Sequence, residues 1–524
     1  MIKTSESGRV GLEDQVIAWL AQQEVEAYLV GGCVRDRLLG RPVYDLDLTV
    51  DGDGLRLARR LANHFEGAYY PLDVARSTGR AILRAEAGRR LVVDVARFRG
   101  DSLTEDGSAE LTADLADRDF TVNALAADVR APDDVIDHHG GLDDLRVRLL
   151  RPVSESAIRN DPLRALRAFR QAAQLGFRLA PKTERLIRRD GAGLARVSAE
   201  RVRDELARLL ALPHAAPHLR HMDDLGLLTI VLPELEPLRD LAQPPPHHLP
   251  VLAHSLKTVE HLEILQSKLR TESGNQESGI GNRVPGIREP DTRHPIPDTR
   301  HLDSLHPFAE RLHAHLAEPL GGERPRLVTL KLAALLHDTG KPATRRVQEE
   351  RIRFLGHEKE SAKLTGAALR RLRFNRAEVR TGQTIVRHHM RPLLLADQER
   401  VSSRAVYRFF RDTDDAGVDV LLHALADHRA TYAPDAEDDR WPRLVALAAR
   451  MLADYYERAE ERVAPPPLLD GYDLLREFGL EPGPQIGELL EAVREAQVSG
   501  EVRTRDEALA LVRKRLDTES QHEV

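Results

Sequence analysis

Cysteine is nearly missing from this 524-residue chain. Cys33 is the only one, which excludes a disulfide framework and a cysteine-built zinc site within the chain. Aromatic residues make up only 4%, so the core has to be filled mainly by Leu, Ala and Val. Long apolar runs are missing too. Leu332–Leu336 is typical of the longest, far short of the roughly 20 residues that span a membrane. The opening MIKTSESGRVGLED carries no apolar signal-peptide core, so no membrane partner is expected and the expected address is cytoplasmic. What is present, 41% hydrophobic and 31% charged residues, is the make-up of a folded, soluble protein. At this length three or four domains are expected.

Charge is unevenly placed. The net charge is −7, yet Arg146–Ala211 holds 16 Lys and Arg against 7 Asp and Glu. A basic stretch inside an acidic chain suits contact with a phosphate backbone, although a solvated helical surface has the same composition.

Helical spacing of apolar residues covers Leu12–Gln23 and Leu55–His64. Strand-like runs occur at Ala27–Val30, Leu46–Val50, Ala81–Leu83, Leu91–Val95 and Val122–Val129. The first 150 residues therefore form a mixed α/β domain, and from Ser154 onward helical periodicity takes over. The segment Thr271–Ser304 is polar, contains many Gly and Pro residues, and repeats PDTRH at 290–294 and 297–301. It is expected to be a disordered insertion. APPPLLDG, Ala464–Gly471, marks a further boundary.

Two constellations carry chemistry. In VGGCVRDRLLGRPVYDLDLTV, Val30–Val50, a strand runs into Gly31-Gly32, and a second strand carries Asp45 and Asp47. Residues i and i+2 of a strand share a face, so both carboxylates are presented together and call for a cation, Mg²⁺ being the usual one. The glycines let backbone N–H groups approach a triphosphate, and Arg35 can add a guanidinium to it. The chemistry that uses these parts is nucleotidyl transfer. The order of strand, Gly-Gly, Arg-Asp and strand-borne Asp-x-Asp resembles the polymerase-β-like nucleotidyltransferases, specifically the bacterial tRNA nucleotidyltransferase/poly(A) polymerase family.

The resemblance continues along the chain. DRDFTVNALAADV, Asp117–Val129, is similar to the family's second motif, with Asp117 where its first arginine usually stands. It implies that Arg118 contacts phosphate and Asp119 the ribose hydroxyl. VIDHHGGLDDLRVRLLRPV, Val135–Val153, resembles the connector into a neck. NDPLRALRAFRQAAQLGF, Asn160–Phe177, resembles the base-reading helix, with Asn160 where Glu is common. There Asp161 and Arg164, three residues apart, are expected to be neighbours and to read the Watson–Crick edge of C or A. Arg167 and Arg170 are implied as further nucleotide contacts, and Asp94 as a third catalytic carboxylate.

The second constellation is His254, His337-Asp338, His357, His388-His389 and Asp427, each in helix-like sequence. Imidazoles and carboxylates converging from several helices suit a divalent transition metal that activates water. The ordered pattern resembles the HD phosphohydrolase superfamily, with His254, His337, Asp338, His357, His388 and Asp427 as the expected ligands. The implied activity is phosphatase or phosphodiesterase chemistry.

The expected fold is thus α+β, a polymerase-β-like nucleotidyltransferase head with a mixed sheet, then an all-α neck and HD domain. The expected boundaries are 1–150, 151–235, 236–435 and 436–524, the last a helical region similar to the tail of HD-bearing relatives. The segment GDSLTEDGSAELTADLAD between Arg99 and Arg118 holds six acidic residues and no basic one. Relatives that add the full CCA end generally have a longer loop here, often with an Arg-Arg-Pro element. The resemblance therefore implies an enzyme that adds cytidines from CTP to the tRNA 3′ end, with a second, A-adding enzyme acting after it. Use of ATP for the terminal A stays an open alternative. So do a poly(A) polymerase and a regulatory phosphohydrolase with an inactive, RNA-binding transferase domain.

Overall fold

The computed structural model describes residues 11–84, 89–98, 108–269, 301–349, 351–433, 436 and 438–522. Contacts divide the chain into two units. Of the described residues, the first comprises those up to Glu205 with Asp224–Ile230; the second comprises Leu206–Asp223 and those from Val231 onward.

The first unit is built on a seven-stranded mixed sheet. Its strands are β1 (Ala27–Val30), β2 (Asp45–Val50), β3 (Ala68–Asp73), β4 (Thr78–Arg84), β5 (Arg90–Arg97), β6 (Leu125–Asp128) and β7 (Val135–Asp137). The spatial order is β3-β4-β5-β2-β1-β6-β7. Only the β2/β5 pair is parallel, and it sets Asp47 directly beside Asp94. Alternation divides the two faces. Leu46, Leu48 and Val50 of β2, with Leu91, Val93 and Val95 of β5, are buried on one side. The helix Gly54–His64 buries Leu57, Ala58, Leu61 and Ala62 and packs on β3, β4 and β5. Asp53 caps its start, accepting from the Arg56 N–H. Asp45, Asp47 and Asp94 point to the opposite face.

Three details differ from the sequence expectation. β3 and β7 were not expected: β3 is an edge strand, mostly exposed and containing Pro71, and β7 has three residues. The expected strand Val122–Val129 starts late, because Thr121–Asn123 forms a 3₁₀ turn. Part of the acidic segment after Arg99 is the helix Ser108–Ala116; its residues 99–107 lie outside the described ones.

Beyond the sheet, the helix Leu163–Leu175 buries Leu166, Ala168, Phe169 and Ala172 and ends at Gly176 in the left-handed region. Arg164, Arg167 and Arg170 form a stripe along it.

The second unit is helical, as expected, apart from a small hairpin at Arg346–Gln348 and Arg351–Arg353. Its centre is the fully buried Lys331, whose Nζ lies 2.7 Å from Glu263 and donates to the Leu212 carbonyl. Glu263 in turn accepts from the N–H groups of Ala215 and Ala216. Most of the expected disordered insertion lies outside the described residues, but its end is ordered. Leu302–Phe308 is a 3₁₀ helix with Leu302, Leu305 and Phe308 buried, and of these Leu302 lies within the segment expected to be disordered. The C-terminal helices close a small core of their own around Leu474, Leu489, Val493 and Val512. Arg408 pairs with Glu495, and Tyr407 with Glu491, to fasten this core to the helix Ser403–Thr413. No described helix is long and apolar enough to cross a membrane.

Candidate active site and metal centre

β1 ends at Val30 and the chain turns at Gly31 (φ 79°, ψ −129°) into the helix Gly32–Leu38. L-residues rarely adopt that φ, and a Cβ there would lie 2.5 Å from Arg118 Nη1. The backbone conformation thus calls for glycine, and a larger residue would displace the Arg118 guanidinium. Arg118 is held beside this bend by the buried Asp114, which accepts from its Nε and Nη2 at 3.3 and 3.0 Å.

Asp47 sits below the bend. Burial raises its pKa, and the charges of Asp94 and Asp45 raise it further, against the opposing pull of Arg118 and Arg167. A carboxylate crowded by two others binds a proton, or a divalent cation, more readily than an isolated one. Asp94 is balanced by Arg80, which donates to both of its oxygens at 2.7 and 2.8 Å. Three carboxylates therefore share one face.

Other expected contacts are differently arranged. Arg35 is buried and turned inward: it donates to Asn123 Oδ1 and, at 2.9 Å, to both oxygens of Asp36. Arg118 is the guanidinium that faces Gly31, while that of Arg35 lies against Gly32. Asp119 is buried, with its oxygens taken by Arg167 at 2.9 Å, Asn123, Gln171 and the Phe120 N–H. These partners outweigh burial and lower its pKa. It ties β6's approach to the arginine-bearing helix, and the ribose role implied by the resemblance is not visible in these contacts.

Asp161 and Arg164 do not pair. Pro162 disfavours helix at the residue before it, and Asp161 is extended (φ −137°, ψ 97°). Its carboxylate accepts from the Leu163 N–H and pairs with Arg201 at 3.0 Å. Arg164 donates to the carbonyls of Ala157 and Asp117 and lies 3.8 Å from the Asp117 carboxylate. Arg170 is engaged with Glu205 and Gln174.

In the second unit the helices Val251–Lys268, Arg326–Leu336, His357–Arg371, Arg376–His388 and Gly417–Thr431 bring imidazoles and carboxylates together. Three overlapping sets, His254/His337/Asp338, His337/His389/Asp427 and Asp338/His357/His389, each offer ligand atoms within 4.8 Å of one another. His337, His357 and His389 share one device. Each Nδ1–H donates to the carbonyl three residues back, of Ala334, Phe354 and Val386, at 2.9, 2.8 and 2.7 Å. With Nδ1–H so placed, Nε2 is the ring nitrogen that each would offer to a metal. His254 Nε2 lies 2.8 Å from Asp427 and His337 Nε2 3.1 Å from Asp338. Burial alone would raise both carboxyls, but His337 with Lys341 and His254 holds them well below the usual range. The same carboxylates push His337 up to about 10 against its burial, while burial beside His337 and His357 takes His389 down to about 3. This donor set fits a divalent transition metal.

The expected ligand His388 is not part of the cluster. It is half-buried beside Arg391 and Asp412, while its neighbour His389 is 1% exposed and faces inward. One step along a helix turns a side chain by about 100°. The buried stripe Gly382, Ile385 and Val386 continues to 389, a periodicity that the sequence already carried. Lys341, which donates to Asp338 at 2.6 Å, was also missed, although it stands in the same HDTGKP stretch.

Residues 27–151 match the Poly A polymerase head domain, 176–238 the "Probable RNA and SrmB- binding site of polymerase A", 308–432 the HD domain and 465–512 the tRNA nucleotidyltransferase domain 2. The chain is also 34% identical over 494 residues to the CC-adding tRNA nucleotidyltransferase of Thermus thermophilus, covering 93% of each protein. It belongs to the bacterial tRNA nucleotidyltransferase/poly(A) polymerase family. Another member of this family, the A-adding tRNA nucleotidyltransferase of Deinococcus radiodurans, is 34% identical over 93% of this chain and 95% of that protein. In fold, the chain is similar to the Thermotoga maritima CCA-adding enzyme complexed with tRNA (TM-score 0.57, 21% identity, 98% and 97% of the two chains). The expected order of mixed-sheet head and helical HD-bearing body is the order found.

Proposed function

We propose that this tRNA nucleotidyltransferase adds the two cytidines of the tRNA 3′ end, without a nucleic-acid template, and that its 1–150, 151–235, 236–435 and 436–524 segments divide the work as head, neck, HD domain and tail. The observation that carries the transferase reading is the acid pair Asp45 and Asp47 facing one space with Arg118 under the Gly31 bend. Asp45 and Asp47 would hold Mg²⁺, which supplies activation of the attacking hydroxyl and charge relief at the leaving group. The tRNA 3′-oxygen bonds to the α-phosphorus of CTP, the bond to the β-phosphate oxygen breaks, and pyrophosphate leaves. Arg118 lies where it can receive the triphosphate's charge, and Asp114 keeps it there. Asp94 with Arg80 borders the site and fixes the electrostatic environment of Asp47. The arginine stripe 164, 167 and 170 borders the base.

Relatives of both specificities are equally similar, so the choice of C rests on the segment between Arg99 and Arg118. It is short and acidic, and its second half is helix Ser108–Ala116, which leaves little chain to reshape the pocket for a purine. A second, A-adding enzyme would then act in series. The test is tRNA stripped of its last three nucleotides, incubated with each NTP. Two C residues and then arrest are expected. Efficient A addition to tRNA ending in CC, or long A tracts, would overturn the CC reading.

For the HD centre we infer metal-dependent phosphate-ester hydrolysis, supported by three imidazoles whose Nδ1–H groups are spent on backbone carbonyls, so that Nε2 is the nitrogen each offers to the cluster.

A further inference from the structure

Among the described residues, His423 is the only one whose two ring nitrogens are both buried and without a hydrogen-bond partner. The buried histidines around it each have at least one ring nitrogen bonded within the chain. His337, His357 and His389 each spend Nδ1 on a carbonyl, and His254 spends Nε2 on Asp427. His423 has 0% exposure, so water at the surface cannot satisfy it. Its ring stands 5.0 Å from that of His337 and 5.7 Å from that of His389. It lies one helical turn before Asp427, on the same helix. Buried polar groups are almost always paired, and an isolated one beside a donor cluster marks a partner that comes from outside the chain. A leucine would fill the volume if packing were the only need.

We propose that His423 is a substrate-binding residue of the HD centre, with its N–H donating to a phosphoryl oxygen of the ester that the centre takes. The assignment rests on reading that centre as a phosphohydrolase. Its nitrogens lie outside the three sets that can surround an ion, so His423 serves the oxyanion and not the metal. A neutral imidazole has one N–H to give and one lone pair to accept a hydrogen bond from a protonated oxygen.

The test uses the full-length protein loaded with Co²⁺, titrated with inorganic phosphate and followed by the visible absorption of the bound ion. His423→Phe is expected to bind Co²⁺ as the wild type does, and to bind phosphate about ten- to a hundred-fold more weakly. His423→Gln, which keeps an N–H, should recover part of the loss. Unchanged CTP incorporation and thermal melting show that the variants fold. Equal phosphate affinity in His423→Phe overturns the assignment, as does loss of Co²⁺ itself, which would make His423 a metal ligand. If the wild type takes up no Co²⁺, the reading of the centre falls, and the assignment of His423 with it.

Discussion

Asp47→Ala is expected to lower nucleotide incorporation by about 10³-fold or more, because a bound cation contributes several kcal/mol to the transition state. The side chain stands between Asp45 and Asp94 on one face of the sheet, and its pKa is raised by burial and by those two charges. Removing it relieves repulsion, so the fold should hold or gain slightly; what is lost is the means of fixing a cation under Gly31. Asp47→Asn, which keeps the shape, should lose nearly as much. Single-turnover incorporation of labelled CTP into trimmed tRNA is the measurement. Near-normal incorporation in both variants would favour an inactive transferase domain that only binds RNA.

Asp338→Asn should have the second-largest effect and the opposite pattern. Asp338 touches the Nε2 atoms of His337 and His357 at 3.1 and 3.4 Å and the Nζ of Lys341 at 2.6 Å. It is therefore common to two of the three ligand sets. Losing its charge should weaken metal binding at least about a hundredfold and abolish metal-dependent phosphate-ester hydrolysis. CTP incorporation should stay near the wild-type rate, because the acid pair of β2 belongs to a separate unit. Metal content by mass spectrometry and the two activities, read on one preparation, check all three points. Loss of CTP incorporation alongside the metal would contradict the separation of the two chemistries.

Local pattern made the catalytic strand legible. Leu46, Leu48 and Val50 alternate with Asp45, Asp47 and Thr49, so the inward face and the acid face could be assigned from spacing alone. What could not be read were partners supplied from far along the chain. Arg35 looked available for phosphate, yet it is bound to Asn123, 88 residues away. Arg118 at the bend depends on Asp114 and on a glycine whose missing Cβ makes room for it. Asp161 was misplaced on a helix that Pro162 should have ended, and it pairs with Arg201, 40 residues on. The HD centre was legible as an ordered set of residue types, but adjacent histidines have to be resolved by helical phase, and there the buried stripe points to His389. β3 escaped notice because Pro71 interrupts it and an exposed edge strand shows no alternation of apolar and polar residues.

The central claim is that Asp45 and Asp47 grip a divalent cation beneath a glycine bend that receives a triphosphate. Diffraction at the manganese edge, from crystals soaked with Mn²⁺ and a non-hydrolysable CTP analogue, tests it most directly. An anomalous peak bonded to both carboxylates is expected, at about the 2.1 Å typical of small divalent ions, with the phosphates beside Arg118. Nucleotide bound elsewhere, or no peak between the two acids with nucleotide in place, would contradict it.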